Sequence, residues 1–180
     1  MALPATTTRL EAPIFLIGFM TSGKSSVGRA VAERLGWAFQ DLDQVVAAAA
    51  QASVAQIFAS EGEAGFRRRE TEAVVVASGW TRTVVATGGG AACHEESLRL
   101  MLQTGRVVAL EISAEEVVRR AKGGAGRPLL AGATDPLGVV TELLRARAPF
   151  YARAHHRVVT DGLAIDAVAA NVLEVLETWC

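Results

Sequence analysis

Residues 18–25 have the types and the spacing of a phosphate-binding loop. They read Gly-Phe-Met-Thr-Ser-Gly-Lys-Ser and match the pattern G-x-x-x-x-G-K-[ST]. Gly18 and Gly23 allow backbone conformations that a Cβ atom would block, so the loop N–H groups can point at phosphate oxygens. Lys24 is then placed to reach the β- and γ-phosphates, and the Ser25 hydroxyl to ligate Mg²⁺. The pattern predicts a nucleoside triphosphate site.

The choice of lysine at position 24 is itself informative. The sequence holds sixteen Arg and two Lys, so a chain that nearly always takes Arg for positive charge takes Lys here. A compact ammonium group on a flexible stem suits a phosphate where a planar guanidinium fits poorly. We therefore expect Lys24 to act in catalysis.

Two carboxylates follow closely, in the sequence Asp41-Leu42-Asp43. We expect Asp41 and Asp43 to end a strand and to face one crevice, because side chains two apart on a strand point the same way. Two carboxylates near a triphosphate require a metal ion or a proton-accepting role. This assigns Asp41 to Mg²⁺, directly or through water, and Asp43 to the proton of the acceptor hydroxyl. An N-cap on the following helix is the competing interpretation for Asp43.

An arginine run within residues 66–70 can hold a carboxylate. The segment reads Phe-Arg-Arg-Arg-Glu, and helical spacing lets Glu70 hold the guanidinium of Arg67 three residues earlier. An arginine fixed in this way captures a carboxylate through two hydrogen bonds. A solvated helix face is the other interpretation, and it fits Arg68 and Arg69.

Later residues supply a glycine turn and two further arginines. Gly88, Gly89 and Gly90 follow a predicted strand, and three consecutive glycines permit direct contact between the backbone and a ligand. A tight turn is the alternative and needs fewer glycines. Phosphoryl transfer spreads negative charge over the moving group, so an arginine that closes over it is expected. Arg127 and Arg147 are candidates, although each taken alone fits an ordinary surface residue.

Short apolar runs alternate with helical patterns along the whole chain. The runs predict strands at residues 14–17, 37–40, 83–86, 107–110 and 157–159. Strands that alternate with helices predict an α/β fold in three layers, with a five-stranded parallel sheet covered on both faces. Ligands gather at the carboxyl ends of such strands, where the phosphate-binding loop, the aspartate pair and the glycine turn lie. A glycine-rich stretch at about residues 120–135 breaks the pattern and predicts a mobile lid.

Composition limits the other possibilities. A chain of 180 residues suits a single domain, and a net charge of −1 gives no general field for nucleic acid or an anionic membrane. The polar start lacks a secretory pattern, and no early apolar run is long enough to span a bilayer. Cys93 and Cys180 lack metal-ligand spacing, which favours free thiols in a reducing compartment. We expect a cytoplasmic monomer.

Taken in order, the motifs resemble the shikimate kinase family, in the nucleoside-monophosphate-kinase-like group of P-loop proteins. The ordered set is the phosphate-binding loop, Asp-x-Asp, Phe-Arg-x-x-Glu, Gly-Gly-Gly, Arg-Pro-Leu at residues 127–129 and Arg-x-Pro-x-Tyr at residues 147–151. The resemblance covers residues 14–176. Many enzymes share the loop alone, whereas the complete set is specific.

The resemblance implies ATP, Mg²⁺ and shikimate, with phosphorylation of the 3-hydroxyl on the route to chorismate and the aromatic amino acids. The residues implied for ATP are Gly18, Thr21, Ser22, Gly23, Lys24, Ser25, Ser26, Arg120 and Arg127. Those implied for shikimate are Asp43, Arg67, Gly88, Gly89, Gly90 and Arg147. Lys24, Asp43 and Arg127 would be catalytic, Ser25 and Asp41 would hold the metal, and Arg120 would pack on adenine. Phe58 and Phe66 would line the acceptor pocket.

One position departs from the family pattern, and two other functions compete. The family usually has a third glycine where this chain has Thr21, a residue that disfavours positive φ. A gluconate-type kinase shares the loop but does not need Arg67, the glycine turn and Arg147 together. A ligand-sensing module that keeps the fold without catalysis would often lose Lys24, Ser25 or the aspartate pair, all of which are present.

Overall fold

A five-stranded parallel sheet forms the middle layer of the computed structural model, which describes residues 11–121 and 134–178. The spatial order is β2-β3-β1-β4-β5, so the strand that leads into the phosphate-binding loop lies at the centre. The strands are β1 (Ile14–Gly18), β2 (Ala38–Asp41), β3 (Thr83–Ala86), β4 (Arg106–Glu111) and β5 (His156–Val159). The predicted parallel sheet is confirmed.

Helices connect consecutive strands, as a parallel sheet requires. They are α1 (Lys24–Leu35), α2 (Leu42–Ala50), α3 (Val54–Ala77), α4 (Glu95–Thr104), α5 (Ala114–Ala121), α6 (Pro136–Tyr151) and α7 (Ile165–Glu177), with a short 3₁₀ turn at Ala91–Cys93. None of these helices is long and apolar enough to cross a membrane.

Alternate side chains of β1 enter two separate cores. Ile14 and Leu16 pack with α1 and α7 on one face of the sheet, whereas Phe15 and Ile17 pack with α3, α4 and α6 on the other. All four side chains are at most 1% exposed. A central strand covered on both faces is fully apolar for this reason, and the three-layer prediction is confirmed.

The helix α3 contains a break that the sequence marks with glycine. Its start has a capping box, in which Ser53 accepts from the Gln56 N–H and the Gln56 side chain accepts from the Ser53 N–H. Gly62, at φ 68° and ψ −174°, then interrupts the helical backbone. Across the break, Arg69 binds Glu61 at 2.8 Å, so Arg69 is not the plain solvated residue that the pattern predicts.

The predicted placement of Asp43 on a strand is wrong. The strand β2 ends at Asp41, whose side chain accepts from the Asp43 N–H at 3.1 Å and caps α2. This hydrogen bond turns the chain into a helix directly after Asp41, so Asp43 lies in the first helical turn. Asp41, and not Asp43, is the N-cap. The lid predicted at about residues 120–135 lies almost entirely outside the described residues, and so does Arg127.

Candidate active site

The phosphate-binding loop connects β1 to α1, and glycines at its two ends take backbone conformations that other residues rarely adopt. Gly18 has φ +142°, and a Cβ atom there would lie 2.5 Å from the Leu110 carbonyl oxygen. Gly23 has φ +92° and is the N-cap of α1, so the first N–H groups of the helix face the loop. Lys24 folds beneath the loop and donates to the carbonyl oxygens of Gly18 at 2.9 Å and Phe19 at 2.8 Å.

Thr21 adopts the conformation that its residue type disfavours, with φ 61°. Two hydrogen bonds hold it there. Its hydroxyl donates to the Met20 carbonyl at 2.6 Å, and its own carbonyl accepts from Arg120 Nη1 at 3.1 Å. The loop therefore has the backbone course that a glycine would give, with a β-branched residue retained by local contacts.

A cavity of about 460 Å³ opens above the loop. It brings together residues of the loop, α1, β2, α2, the turn after β3 and α5, which lie far apart in the sequence. Its lining residues are Met20, Thr21, Gly23, Lys24, Ser25, Ser26, Asp41, Asp43, Thr87, Gly89 and Arg120. We call this space the first cavity.

Ser25 and Asp41 form an oxygen pair on the floor of the first cavity. The Ser25 hydroxyl donates to Asp41 Oδ2 at 2.6 Å, so the two predicted metal-binding residues are in direct contact. Mg²⁺ takes oxygen ligands and usually keeps several waters. One hydroxyl and one carboxylate beside a phosphate-binding loop therefore fit a magnesium site.

The Asp43 carboxyl group opens onto the same cavity. Desolvation within the pocket, followed by the negative charges of Asp41 and Glu70, raises the pKa of Asp43 to about 6, against the opposing charges of Lys24 and Arg67. A carboxylate with this pKa is ionised at neutral pH and is more basic than an ordinary aspartate. The site thus contains a base suited to a hydroxyl proton.

Glu70 has a larger part in the site than the sequence indicates. It is 2% exposed, and its Oε2 accepts from Arg67 Nη1 at 2.8 Å, which confirms the predicted contact. Its Oε1 has no hydrogen-bond partner among the described residues. The i,i+3 spacing pairs Glu70 with Arg67, but only the fold brings it close to Asp43.

The glycine turn after β3 makes room for these charged groups. A Cβ atom on Gly88 would lie 2.4 Å from Glu70 Oε1 and 2.9 Å from Asp43 Oδ1. A Cβ atom on Gly90 would lie 2.5 Å from Arg67 Nη1. A side chain at either of these two positions would have to displace Glu70, Asp43 or Arg67, and direct contact of the turn with a ligand stays a prediction.

Arg147 reaches the same turn from α6. It donates to the Gly89 carbonyl at 3.0 Å, and its guanidinium lies 5.2 Å from the Phe19 ring centroid. Tyr151, one helical turn later, donates its hydroxyl to the same carbonyl at 3.0 Å. Sequence reasoning did not assign Tyr151 a role, although its i+4 spacing from Arg147 places both on one helix face.

Stacked aromatic rings lie beside Arg67. The Phe58 and Phe66 ring centroids are 4.6 Å apart, and the Arg67 guanidinium is 5.5 Å from the Phe66 centroid. Phe66 is buried, whereas Phe58 is 39% exposed. The rings give the arginine an apolar wall, which reduces its freedom to turn away from the site.

A second cavity, of about 500 Å³, lies on the other side of the loop. It shares Thr21, Gly23, Ser26 and Arg120 with the first cavity and also includes Ser22, Arg119 and residues of the turn before α7. Arg120 donates to Thr160 O at 2.7 Å and so stands between the two cavities. Of the predicted nucleotide residues, Thr21, Gly23, Ser26 and Arg120 line both cavities, Lys24 and Ser25 line the first, and Ser22 lines the second.

Comparison with known proteins identifies the family. The family model described as shikimate kinase matches residues 20–177. A shikimate kinase of Symbiobacterium thermophilum is 47% identical over 91% of this chain and 95% of its own length. One of Moorella thermoacetica is 42% identical over 92% of this chain and 95% of its own.

Solved structures give the same result. The shikimate kinase from Acinetobacter baumannii in complex with shikimate has a TM-score of 0.87 and 34% identity, and the match covers 94% of this chain and 95% of that one. A gluconokinase from Sinorhizobium meliloti, at 18% identity and a TM-score of 0.61, shares the fold. On the family model and on relatives that match over nearly their whole length, this chain belongs to the shikimate kinase family.

Proposed function

We propose that this protein transfers the γ-phosphoryl group of ATP to the 3-hydroxyl of shikimate, giving shikimate 3-phosphate and ADP. The observation that carries the proposal is the position of Asp43. Its carboxyl group shares a cavity with Lys24, and it shares the Gly88 turn with Glu70, the partner of Arg67. Phosphoryl transfer to a hydroxy acid needs a base, a cation on the phosphates and cations for the acceptor carboxylate.

On the donor side, the loop N–H groups and Lys24 would hold the phosphates, with Gly18, Thr21, Ser22, Gly23 and Ser26 shaping the loop. Arg120, between the two cavities, would contact the nucleotide. Ser25 and Asp41 would hold Mg²⁺, which supplies charge neutralisation for the phosphates. Arg127 is proposed as the arginine that closes on the transferred group.

On the acceptor side, Arg67 and Arg147 would bind the shikimate carboxylate, and the turn from Gly88 to Gly90 would lie beneath the ring. Asp43 would accept the proton of the 3-hydroxyl as the hydroxyl oxygen bonds to the γ-phosphorus. The bond from that phosphorus to the bridging oxygen of ADP would break at the same time. The raised pKa of Asp43 suits this step, because a stronger base takes the proton more readily.

A gluconate-type kinase remains the competing function, and the likeness to the gluconokinase structure extends only to the fold. Gluconate is an open-chain acid without a ring, so it has less use for stacked Phe58 and Phe66 beside a fixed Arg67. A sensing module without catalysis would not need the Ser25–Asp41 oxygen pair or a basic Asp43.

A coupled assay for ADP release tests the proposal. We expect turnover with shikimate, and much slower or no turnover with gluconate and quinate at equal concentration. The Lys24→Ala variant should lose nearly all activity, at least about a thousandfold in kcat, because Lys24 stabilises charge on the phosphates. Selective turnover of gluconate or quinate would refute the acceptor assignment, and near-normal turnover by Lys24→Ala would refute the donor site.

Other properties stay predictions. We propose that the chain works as one domain and as a monomer in the cytoplasm, without binding nucleic acid. Both cores pack on the same sheet, which supports a single folding unit. Light scattering of the purified protein gives the oligomeric state directly.

A further inference from the structure

Glu116, on α5, lies outside the lining of both cavities yet forms ion pairs with two neighbouring arginines, one of which lines both. Its carboxylate accepts from Arg119 Nε and Nη2, both at 2.6 Å, and from Arg120 Nε at 2.7 Å. The residue is 9% exposed. The hydrogen bonds from Arg119 and Arg120 lower the pKa of Glu116 to about 2, so it is ionised throughout the physiological range.

The two arginines differ in what else they reach. The Arg119 side chain is 69% exposed, whereas that of Arg120 is 22% exposed. Arg120 uses each guanidinium nitrogen on a different element: Nε on Glu116, Nη1 on the Thr21 carbonyl at 3.1 Å and Nη2 on the Thr160 carbonyl at 2.7 Å. Since a guanidinium is planar, fixing Nε fixes the directions of the other two nitrogens.

The contact with Thr21 falls at a strained position of the loop. A β-branched residue at φ 61° is held against its own preference, and the carbonyl that Arg120 binds belongs to that residue. The adjoining N–H groups of the loop are those that would face phosphate oxygens. Whatever keeps the Thr21 peptide in place therefore also keeps the phosphate site in its binding geometry.

We propose that Glu116 is a positioning residue for the nucleotide: it orients Arg120 so that Arg120 holds the phosphate-binding loop at Thr21 and the turn at Thr160. The inference rests on the proposed function and deepens it, because it adds a determinant of nucleotide affinity that touches no substrate. A purely structural ion pair would instead stabilise α5 without altering either substrate's binding.

The first experiment compares Glu116→Gln with Glu115→Gln, a matched change at an exposed residue of the same helix turn. The measurements are the KM for ATP, the KM for shikimate, the Kd for ADP by calorimetry and the Tm. We expect Glu116→Gln to raise the KM for ATP and the Kd for ADP by about tenfold, since a charge-assisted contact becomes a neutral one. The KM for shikimate should change less than twofold, as should all values for Glu115→Gln.

The second experiment repeats Glu116→Gln in a Thr21→Gly background. Glycine adopts positive φ without strain, so the loop should need the Arg120 contact less. The increase in the ADP Kd should then fall from about tenfold to about threefold, a coupling that a general loss of stability does not produce. If Glu116→Gln does not fold, Glu116→Asp is the substitute, because it keeps the charge on a shorter side chain. We expect it to raise the Kd for ADP several-fold.

The outcomes separate the two proposals. A wild-type protein that binds ADP but does not phosphorylate shikimate overturns the proposed function, while the ADP measurements still test Glu116. A Glu116 variant with wild-type affinity for ADP and a wild-type KM for ATP overturns the positioning role alone. Equal increases in both KM values, or no coupling with Thr21→Gly, likewise overturn it.

Discussion

Asp43 combines exposure to a ligand cavity with a pKa near neutrality. Desolvation and the carboxylates of Asp41 and Glu70 raise that pKa to about 6, while the nearby cations Lys24 and Arg67 oppose the rise. The local balance of charge therefore decides how much of the base is ionised at the pH of the cell. A change to either cation should move the pH dependence of the reaction, besides affecting binding.

The pH profile tests Asp43 directly. If Asp43 is the base, kcat/KM for shikimate should rise tenfold per pH unit below about 6 and level off above it, because this ratio reports the free protein. Asp43→Asn should lower kcat by about a hundredfold or more and remove this limb. A profile that is flat from pH 5 to 8, or an unchanged limb in the variant, would contradict the assignment.

The same pKa has a consequence for stability. The folded-state pKa of Asp43 is raised above its unfolded value, so ionisation of Asp43 lowers the free energy of unfolding. This stability is lost as the pH rises, and the loss is complete once the pH has passed about 6. Asp43→Asn should therefore unfold at a higher temperature than the wild type at pH 8, and at nearly the same temperature at pH 4. Thermal unfolding at the two pH values provides the measurement.

Arg67 should contribute to acceptor binding more than to the chemical step. Arg67→Ala removes a proposed carboxylate contact and should raise the KM for shikimate by about tenfold to a hundredfold, with a smaller fall in kcat. The kinetics are measured at pH 8, where Asp43 stays ionised even though the neighbouring cation has been removed. The control is Arg68→Ala, an exposed neighbour, which should behave as the wild type. An unchanged shikimate KM would refute the role.

At the scale of elements, α6 and the turn after β3 are joined at one carbonyl. Gly89 O accepts from both Arg147 and Tyr151, so two side-chain hydrogen bonds tie the helix to the turn. Tyr151 is 8% exposed, and burial raises the pKa of its hydroxyl, which remains a donor at all working pH values.

Tyr151→Phe isolates that junction. The change removes one hydroxyl hydrogen bond and keeps the ring, so the free energy of unfolding should fall by about 1 kcal/mol. Because Arg147 shares the acceptor, the KM for shikimate should rise about threefold, while the KM for ATP stays constant. Steady-state kinetics and denaturant unfolding measure the two effects. An effect on ATP alone would show that the turn is not coupled to the acceptor.

Element boundaries show what sequence patterns can and cannot predict. The five strands follow from apolar runs, and the capping box at Ser53 follows from the spacing of Gln56. The change from strand to helix after Asp41 cannot be predicted in this way, because a strand residue and an N-cap residue have the same short pattern in the sequence. The side-chain hydrogen bond that decides between them is visible only in three dimensions.

At the scale of the molecule, the central strand connects both cores to the phosphate-binding loop. Nucleotide binding to the folded state should therefore stabilise the whole chain by mass action. At an ADP concentration one hundred times the Kd, the free energy of unfolding should rise by about 2.7 kcal/mol. Lys24→Ala should show a smaller rise in Tm at the same concentration. Equal shifts for both proteins in a thermal melt would mean that ADP binds elsewhere.

Contacts between residues far apart in the sequence are the part of the site that the sequence does not predict. The motif order predicts which loops meet at the carboxyl edge, and the first cavity does collect Lys24, Asp41 and Asp43. It does not predict that Glu70 approaches Asp43, since their distance depends on how α3 packs beside α2. Nor does the pattern predict Arg120 bound to Thr21, because a contact between residues 99 positions apart leaves no local signal.

Because Gly88 has no side chain, the residues around it can be changed only together. The space that its Cβ atom would fill holds one oxygen of Glu70 and one of Asp43, and the neighbouring Gly90 yields its space to Arg67. A side chain larger than hydrogen at position 88 would push against the Glu70 and Asp43 carboxylates, and one at position 90 against the Arg67 guanidinium. A change of acceptor specificity at this pocket therefore requires that the turn and its three charged neighbours be replaced together.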